Sequence, residues 1–192
     1  MSARGVRGGL ILMFALLTAG TAAADKPPAV ESLTAGGMVL MLRHARAPGL
    51  GDPPGFRLGD CATQRNLDGE GREQARRIGR WLGRQGVAAA RVFSSQWCRC
   101  LETARLLELG PVAELPALNS FFARAADQAP RLEALRGFLA ALPSGGPLVV
   151  LVTHQVTITA LTGETIGSGV GVLLRLTGNG AFEVLGRMDF AP

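Results

Sequence analysis

Apolar residues recur along this chain in two rhythms: short unbroken runs, and longer stretches in which they return every three or four positions. Residues 38–42, MVLML, form an unbroken run that leads into Arg43 and His44, and residues 148–152, LVVLV, form a second that leads through Thr153 to His154. Runs this short and this apolar predict strands buried on both faces. Between them, residues 47–60, APGLGDPPGFRLGD, hold too much Gly and Pro for a helix or a central strand and predict a loop. Asp68 then caps a helix that gathers Ala75, Ile78, Trp81 and Leu82 on one face, turns Arg72, Arg76, Arg77, Arg80 and Arg84 mostly away, and closes at Gly86. A short strand over 92–94 leads into a helix from about Trp97 to Leu109, capped by Ser94 or Ser95 and stopped by Gly110 and Pro111. Residues 112–118 predict another short strand, and Leu132, Leu135, Leu139 and Leu142 a helix ending at Pro143. Residues 172–176 and 182–188 alternate around Gly178, Asn179 and Gly180, as a closing hairpin does.

Strands alternating with helices predict an α/β fold of three layers, a mostly parallel central sheet with helices on both faces and ligands beyond the carboxyl ends of its strands. Both histidines fall at such ends. The 192 residues suffice for one domain and are too few for two ordinary ones. The first 24 stand apart: Arg4 and Arg7 precede an apolar run over 10–17, and Ala22, Ala23 and Ala24 follow, the pattern of a secretory signal peptide. A spanning helix would need roughly 20 apolar residues. No lipid-accepting cysteine sits at the junction, so the expected product is an untethered domain of residues 25–192, periplasmic or secreted, with no stable membrane anchor.

Removing two arginines with that leader lowers the formal charge from +5 to +3. So mild an excess, much of it on one helix face and with no tyrosine to stack on bases, argues against a nucleic-acid partner. The oligomeric state stays open. Cys61, Cys98 and Cys100 would enter an oxidising compartment, where one pair can form and one thiol is left over. Their spacing, without a second Cys-x-x-Cys or a nearby His pair, does not suit zinc.

The chemistry gathers at the two histidines, the only ones in the chain, each directly beyond a buried strand. Arg43 beside His44, and Arg99 at the start of the helix after residues 92–94, add guanidinium groups that a parallel sheet can bring to the same edge. A guanidinium there is costly unless it meets an anion, and its planar fork fits phosphate oxygens in bidentate fashion.

LRHA at 42–45, SSQWCRCLETA at 94–104 and VTHQ at 152–155 resemble, in order and spacing, the three motifs of the histidine phosphatase superfamily, also called phosphoglycerate mutase-like. RNLDGEGREQARRIG at 65–79 is similar to that family's first helix and its lead-in, so the resemblance covers nearly all of residues 25–192. It departs in having Ala45 where Gly is commoner. The resemblance implies that His44 is the nucleophile that becomes phosphorylated, that Arg43 and Arg99 hold the phosphate oxygens, that His154 is the second pocket histidine, and that Arg65 and Gln155 contribute to substrate binding. It implies metal-free chemistry with no cofactor, because the arginines supply the charge clamp. It also implies that Cys100, at a family position usually filled by a small buried residue, is the free thiol, and that Cys61 pairs with Cys98.

The general acid is not implied. Ser120 stands where mutase-like members carry a glutamate, and Gln155 where the acid phosphatase branch carries an aspartate. Asp127, Asp52, Asp60 and Glu102 are the candidates, Asp127 first because it follows Arg99 where related enzymes place their acid. The expected function is a phosphomonoesterase acting through phosphohistidine on a small or envelope-linked phosphate ester. The alternatives are a phosphate-ligand binding protein with weak or no turnover, and, less favoured because the leader points to export, a phosphomutase or an intracellular phosphohistidine phosphatase. Specificity would lie in the loop 47–60 and in residues 119–130.

Overall fold

The computed structural model describes Met1 and residues 33–190; the leader expected over residues 1–24 therefore lies, Met1 aside, outside the described residues. Among the described residues six strands form one sheet: β1 (Met38–Arg43), β2 (Arg91–Ser94), β3 (Val112–Glu114), β4 (Val149–Thr153), β5 (Gly171–Gly178) and β6 (Ala181–Met188), in the order β3-β2-β4-β1-β5-β6. The first four pair in parallel, and β5 and β6 add an antiparallel hairpin beside β1. That is the expected mostly parallel sheet with its closing hairpin.

Among the described residues four helices cover it: α1 (Gly69–Arg84), α2 (Cys98–Leu106), α3 (Gln128–Ala140) and α4 (Gln155–Thr162). The unbroken run of β1 serves both faces. Leu40 and Leu42 join Val150, Val152, Ile78, Leu82 and Leu107 in the core under α1 and α2. Val39 and Met41 join Leu151, Leu132, Leu135, Leu139 and Ile158 in the core under α3 and α4. The three layers are therefore the physical consequence of central strands with no polar face to give to water. Among the described residues no helix is long and apolar enough to cross a membrane.

Helix α1 follows its sequence closely. The Asp68 carboxylate accepts from Gly71 N at 2.8 Å, and Gly86, with φ of +87°, ends the helix in the left-handed region. Gly79 lets α1 and the end of α2 meet, since a Cβ built on it would lie 2.1 Å from the Leu107 carbonyl oxygen. Gly79→Ala is expected to destabilise the fold by roughly 2 kcal/mol net, overpacking of up to about 3 kcal/mol exceeding the ~1 kcal/mol that alanine adds to a helix. Urea denaturation of the variant measures this, and an unchanged midpoint would contradict so tight a crossing.

Three expectations are corrected. The strand expected over 112–118 stops at Glu114, because Pro116 has no N–H for a ladder and opens a single 3-10 turn, Pro116–Leu118. Neither serine caps α2. The Ser95 hydroxyl is drawn to His154 instead, Ser94 donates to Ser95 O, and the N-cap residue is Trp97 with no side-chain cap bond. Helix α4 was not expected at all: its sequence, QVTITALT, alternates β-branched apolar and polar residues as a strand would, and packing of Ile158 and Leu161 under the sheet overrides that pattern.

Candidate active site

Strands β1 and β4 are neighbours with Arg43 opposite Thr153, so the residues that follow them leave one edge of the sheet side by side. His44 N donates to Thr153 O at 3.0 Å, and the rings of His44 and His154 stand 5.5 Å apart, edge to face. Strand β2 borders β4 on its other side, and the turn after it starts α2 with Arg99 in the first turn. Topology alone thus delivers both histidines, Arg43 and Arg99 to one place.

The His44 ring is oriented by its own neighbour. Nδ1 lies 2.8 Å from Ala45 O, and a carbonyl can only accept, so Nδ1 carries the proton and Nε2 the lone pair. Arg99 Nε donates toward that lone pair at 3.3 Å. Burial, with Arg99, Arg43 and Arg65 nearby and against the Ala45 bond, pushes the imidazole down to about 3, so it is neutral across the physiological range. His154 is held well below the ordinary histidine range, first by burial and then by His44 and the same arginines. Its Nε2 meets Ser95 Oγ at 2.9 Å, which leaves Nδ1 for the cavity. Ser95 in turn donates to Asn119 Oδ1 at 3.2 Å. Sequence reasoning gave Ser95 to a helix end and passed over Asn119; in the sequence, only the place of Ser95 inside the motif that holds Arg99 pointed toward it.

Arg43 Nη1 donates to Gln155 Oε1 at 3.1 Å and to Ile166 O at 2.9 Å, while its Nε is buried with no partner among the described residues. Arg65 lines the same cavity, but its Nε donates to Gly51 O at 2.6 Å and its Nη1 to Ala47 O, so much of the side chain secures the loop. Arg99 uses both Nη atoms on Asp52, at 2.7 and 3.1 Å, and this pair is almost fully buried. Asp52 also accepts from Trp97 Nε1 at 3.0 Å and from Arg65 N at 3.1 Å. Burial raises the Asp52 carboxyl, yet the bonds and charge of Arg99, with Arg65 N and Trp97, outweigh it and hold the group below the usual carboxylate range. Three guanidiniums against one carboxylate leave the floor of the site two positive charges in excess, with an orphaned donor on Arg43. An oxyanion with two charges would neutralise it.

These groups form the floor of a cavity of about 620 Å³ whose wall includes Leu50, Phe56, Phe122, Ser120, Asp127 and Gln155. Leu50 and Phe122 are open to solvent at 87% and 59% exposure and form an apolar mouth. Of the acid candidates, Asp127 lines this cavity with Arg131 Nη2 on it at 2.9 Å, Asp52 lies on the floor, Asp60 pairs with Arg57, and Glu102 pairs with Arg72. Glu102 borders a separate cavity of about 740 Å³ beside the Cys61–Cys98 bridge. That larger space holds neither histidine and none of the guanidinium floor, so the chemistry belongs to the first.

Cys61 and Cys98 are disulfide-bonded and Cys100 is free and buried, as the family resemblance implied. The bridge ties the end of the loop that carries Asp52 to the first residue of α2, next to Arg99. Burial pushes the Cys100 thiol up to about 12, so it is a protonated, unreactive neighbour of His154.

Two buried neutral histidines make stability depend on pH. Both are lowered in the folded state, so as pH falls below about 6.5 the unfolded chain takes up protons that the folded one refuses, and stability is lost. The slope expected between about pH 6 and pH 4.5 approaches ~2.7 kcal/mol per pH unit, ~1.4 for each histidine. Urea titrations across that window read it; a flat profile would show that the rings are protonated in place.

Residues 39–121, which hold Arg43, His44, Arg65 and Arg99, match the family described as "Histidine phosphatase superfamily (branch 1)". Among curated proteins nothing matches. Among solved structures, the protein histidine phosphatase SixA complexed with tungstate is 20% identical, with 80% of this chain and 97% of that chain covered and a TM-score of 0.61. An Escherichia coli protein described as a candidate alpha-ribazole-5'-P phosphatase is 16% identical over 80% of this chain and 98% of that one, with a TM-score of 0.62. A mycobacterial glucosyl-3-phosphoglycerate phosphatase in complex with VO3 is 18% identical over 77% of this chain and 96% of that one, with a TM-score of 0.56. Identities this low speak for the fold alone: the chain shares the fold of these phosphatases, and within it residues 39–121, a little under half of the chain, match the histidine phosphatase superfamily.

Proposed function

We propose that the protein is a metal-independent phosphomonoesterase that carries the phosphoryl group on Nε2 of His44. The observation that carries this reading is the state of that nitrogen: unprotonated, aimed by the Nδ1–Ala45 bond, and set beside the guanidinium floor. Nε2 attacks phosphorus in line with the leaving oxygen. Arg43 and Arg99 take the equatorial oxygens, where charge is spread in the transition state, and His154, its Nε2 held by Ser95, lines the same cavity. Gln155 steers Arg43, and Arg65 adds charge from the loop. Two carboxylates, Asp127 and Asp52, are at hand in the cavity for the proton that the leaving oxygen needs. The structural neighbours act, by their names, on phosphorylated compounds and have been captured with tungstate and VO3, which supports a small phosphate ester as substrate.

Brief reaction with a labelled phosphomonoester tests it. Acid-labile, base-stable label and a burst followed by steady turnover are expected, with inhibition by vanadate and none by a chelator. Activity lost to the chelator would reject the metal-free clamp. Tight phosphate binding with neither burst nor turnover would favour the second reading, a phosphate-binding protein, which the serine at position 120 keeps in view. We propose further that residues 1–24 direct export and are removed, placing the domain in the periplasm or medium; the Cys61–Cys98 bridge supports an oxidising compartment. Amino-terminal sequencing of protein from the cell envelope should begin at Asp25, and Met1 there would reject it.

A further inference from the structure

On the phosphatase reading above, some group must protonate the leaving oxygen, and the position of the family glutamate holds Ser120. We propose that Asp52 is this acid, and that it acquires its proton when the phosphoryl group displaces it from Arg99.

The fork that a phosphate would use is already filled. Both Nη atoms of Arg99 bond Asp52, and Nε of the same guanidinium reaches His44 Nε2, so a single guanidinium separates the carboxylate from the nucleophile. A carboxylate is planar and bidentate toward arginine, and it stands in for the phosphate oxygens in the free protein. Asp127, by contrast, bonds Arg131 and no member of the His44 and Arg99 cluster.

Asp52 has somewhere to stay when it yields Arg99. Trp97 Nε1 holds Oδ2 and Arg65 N holds Oδ1, and neither bond involves the fork. The charged and titratable groups that act on it are Arg99 and Cys100 from α2 and Arg65 from the segment before α1, and Arg43 at the end of β1, His44 beyond it and His154 beyond β4 line the same cavity. The thiol and both imidazoles are neutral, so the charge that holds the carboxyl ionised comes from the arginines, Arg99 first, with help from the bonds of Arg65 N and Trp97 Nε1. A bound dianion consumes that positive charge and sets two negative charges beside Asp52, while the burial that favours the neutral acid persists. The carboxylate then takes a proton.

The cycle balances. With the ester bound as the dianion and Asp52 protonated, His44 Nε2 forms the N–P bond as the P–O bond breaks, and the Asp52 proton passes to the departing oxygen, releasing the alcohol. The Asp52 carboxylate next accepts a proton from the water that attacks phosphorus. The N–P bond breaks, its electron pair returns to Nε2, and phosphate leaves.

Calorimetry of tungstate binding at pH 7, in buffers of different ionisation enthalpy, tests the proposal, because tungstate arrives there as a dianion without a proton. The wild type should take up close to one proton per tungstate. Asp52→Asn should bind tungstate at least as tightly, with no competitor left on Arg99, and take up none. Its turnover should fall on the order of 10²- to 10⁴-fold on glycerol phosphate and less than about tenfold on nitrophenyl phosphate, whose leaving group needs little acid help. Asp127→Asn, which alters the cavity wall, should change both esters by a similar factor, without the selective loss on glycerol phosphate. The wild type gives a second reading: the Trp97 indole N–H resonance, one of only two in the chain, should shift on adding tungstate as its acceptor is protonated. Proton uptake that persists in Asp52→Asn, wild-type binding without uptake, an unmoved Trp97 signal, or equal losses on the two esters would each overturn the proposal. A wild type that binds no tungstate and turns over no ester would instead remove the phosphatase reading beneath it.

Discussion

His44→Ala is expected to lower turnover of an aryl phosphate by on the order of 10⁴-fold or more and to erase the acid-labile label, the largest kinetic effect of any single change in the chain. The size follows from the arrangement around Nε2. It is the nitrogen whose lone pair is fixed at the guanidinium floor, and His154, the other imidazole, has its Nε2 committed to Ser95. Water could attack an ester held by Arg43 and Arg99, but the two-step route would be gone. The arginines stay, so tungstate should still bind, and added imidazole should restore part of the rate by entering the vacated space. The variant should also lose less stability on acidification, since one buried neutral ring has been removed. Label that survives and maps to His154 would reverse the two roles.

Removing the bridge, by Cys61→Ser with Cys98→Ser, is expected to give the largest loss of stability. A crosslink between residues 37 apart restricts the unfolded chain by about 3–4 kcal/mol, enough to lower the melting temperature by roughly 10 °C in a domain of this size. The functional cost should exceed what stability alone implies. Cys98 is the residue before Arg99, and Cys61 ends the loop that carries Asp52, so the bridge holds both partners of the buried ion pair in place. A double variant that melts where the wild type does, and keeps its activity, would show that Trp97 and Arg65 anchor the loop unaided.

How much of this was legible in the sequence depends on the range of the interaction concerned. Strands β1 and β4 were readable because their burial on both faces leaves an unbroken apolar run, and the histidines after them fell at the sheet edge by that fact alone. The covering of both faces by helices, and the hairpin at the end, were readable from periodicity. Helix α4 was not, because Val156, Thr157 and Ile158 have the local habits of a strand and only their packing makes them helical. The site divided along the same line. Arg43, His44, Arg99 and His154 sit in short motifs, and the structure brings all four together. The grip of Asp52 on Arg99 joins residues 47 apart across an irregular loop, and nothing in local sequence singled Asp52 out from Asp60, Glu102 or Asp127. Ser95 was assigned to a helix end for a similar reason, since its partner, His154, lies 59 residues away.

The burial of Cys100 bears on how the chain is made. In an unfolded chain Cys61 meets Cys98 and Cys100 across loops that differ by only two residues, a difference of no consequence for closure entropy. Chain statistics therefore cannot choose between them. The choice requires that α2 already lie against the sheet, with Cys100 turned into the core and Cys98 turned toward Cys61. Folding of this part has to precede oxidation, and a crosslink made too early would trap Cys100 outside the core and turn α2, with Arg99, away from the sheet edge. During biosynthesis the correct bridge is thus a record that the sheet and α2 were assembled first, and an oxidant faster than that assembly would lower the yield of native protein unless a disulfide isomerase reopened the error.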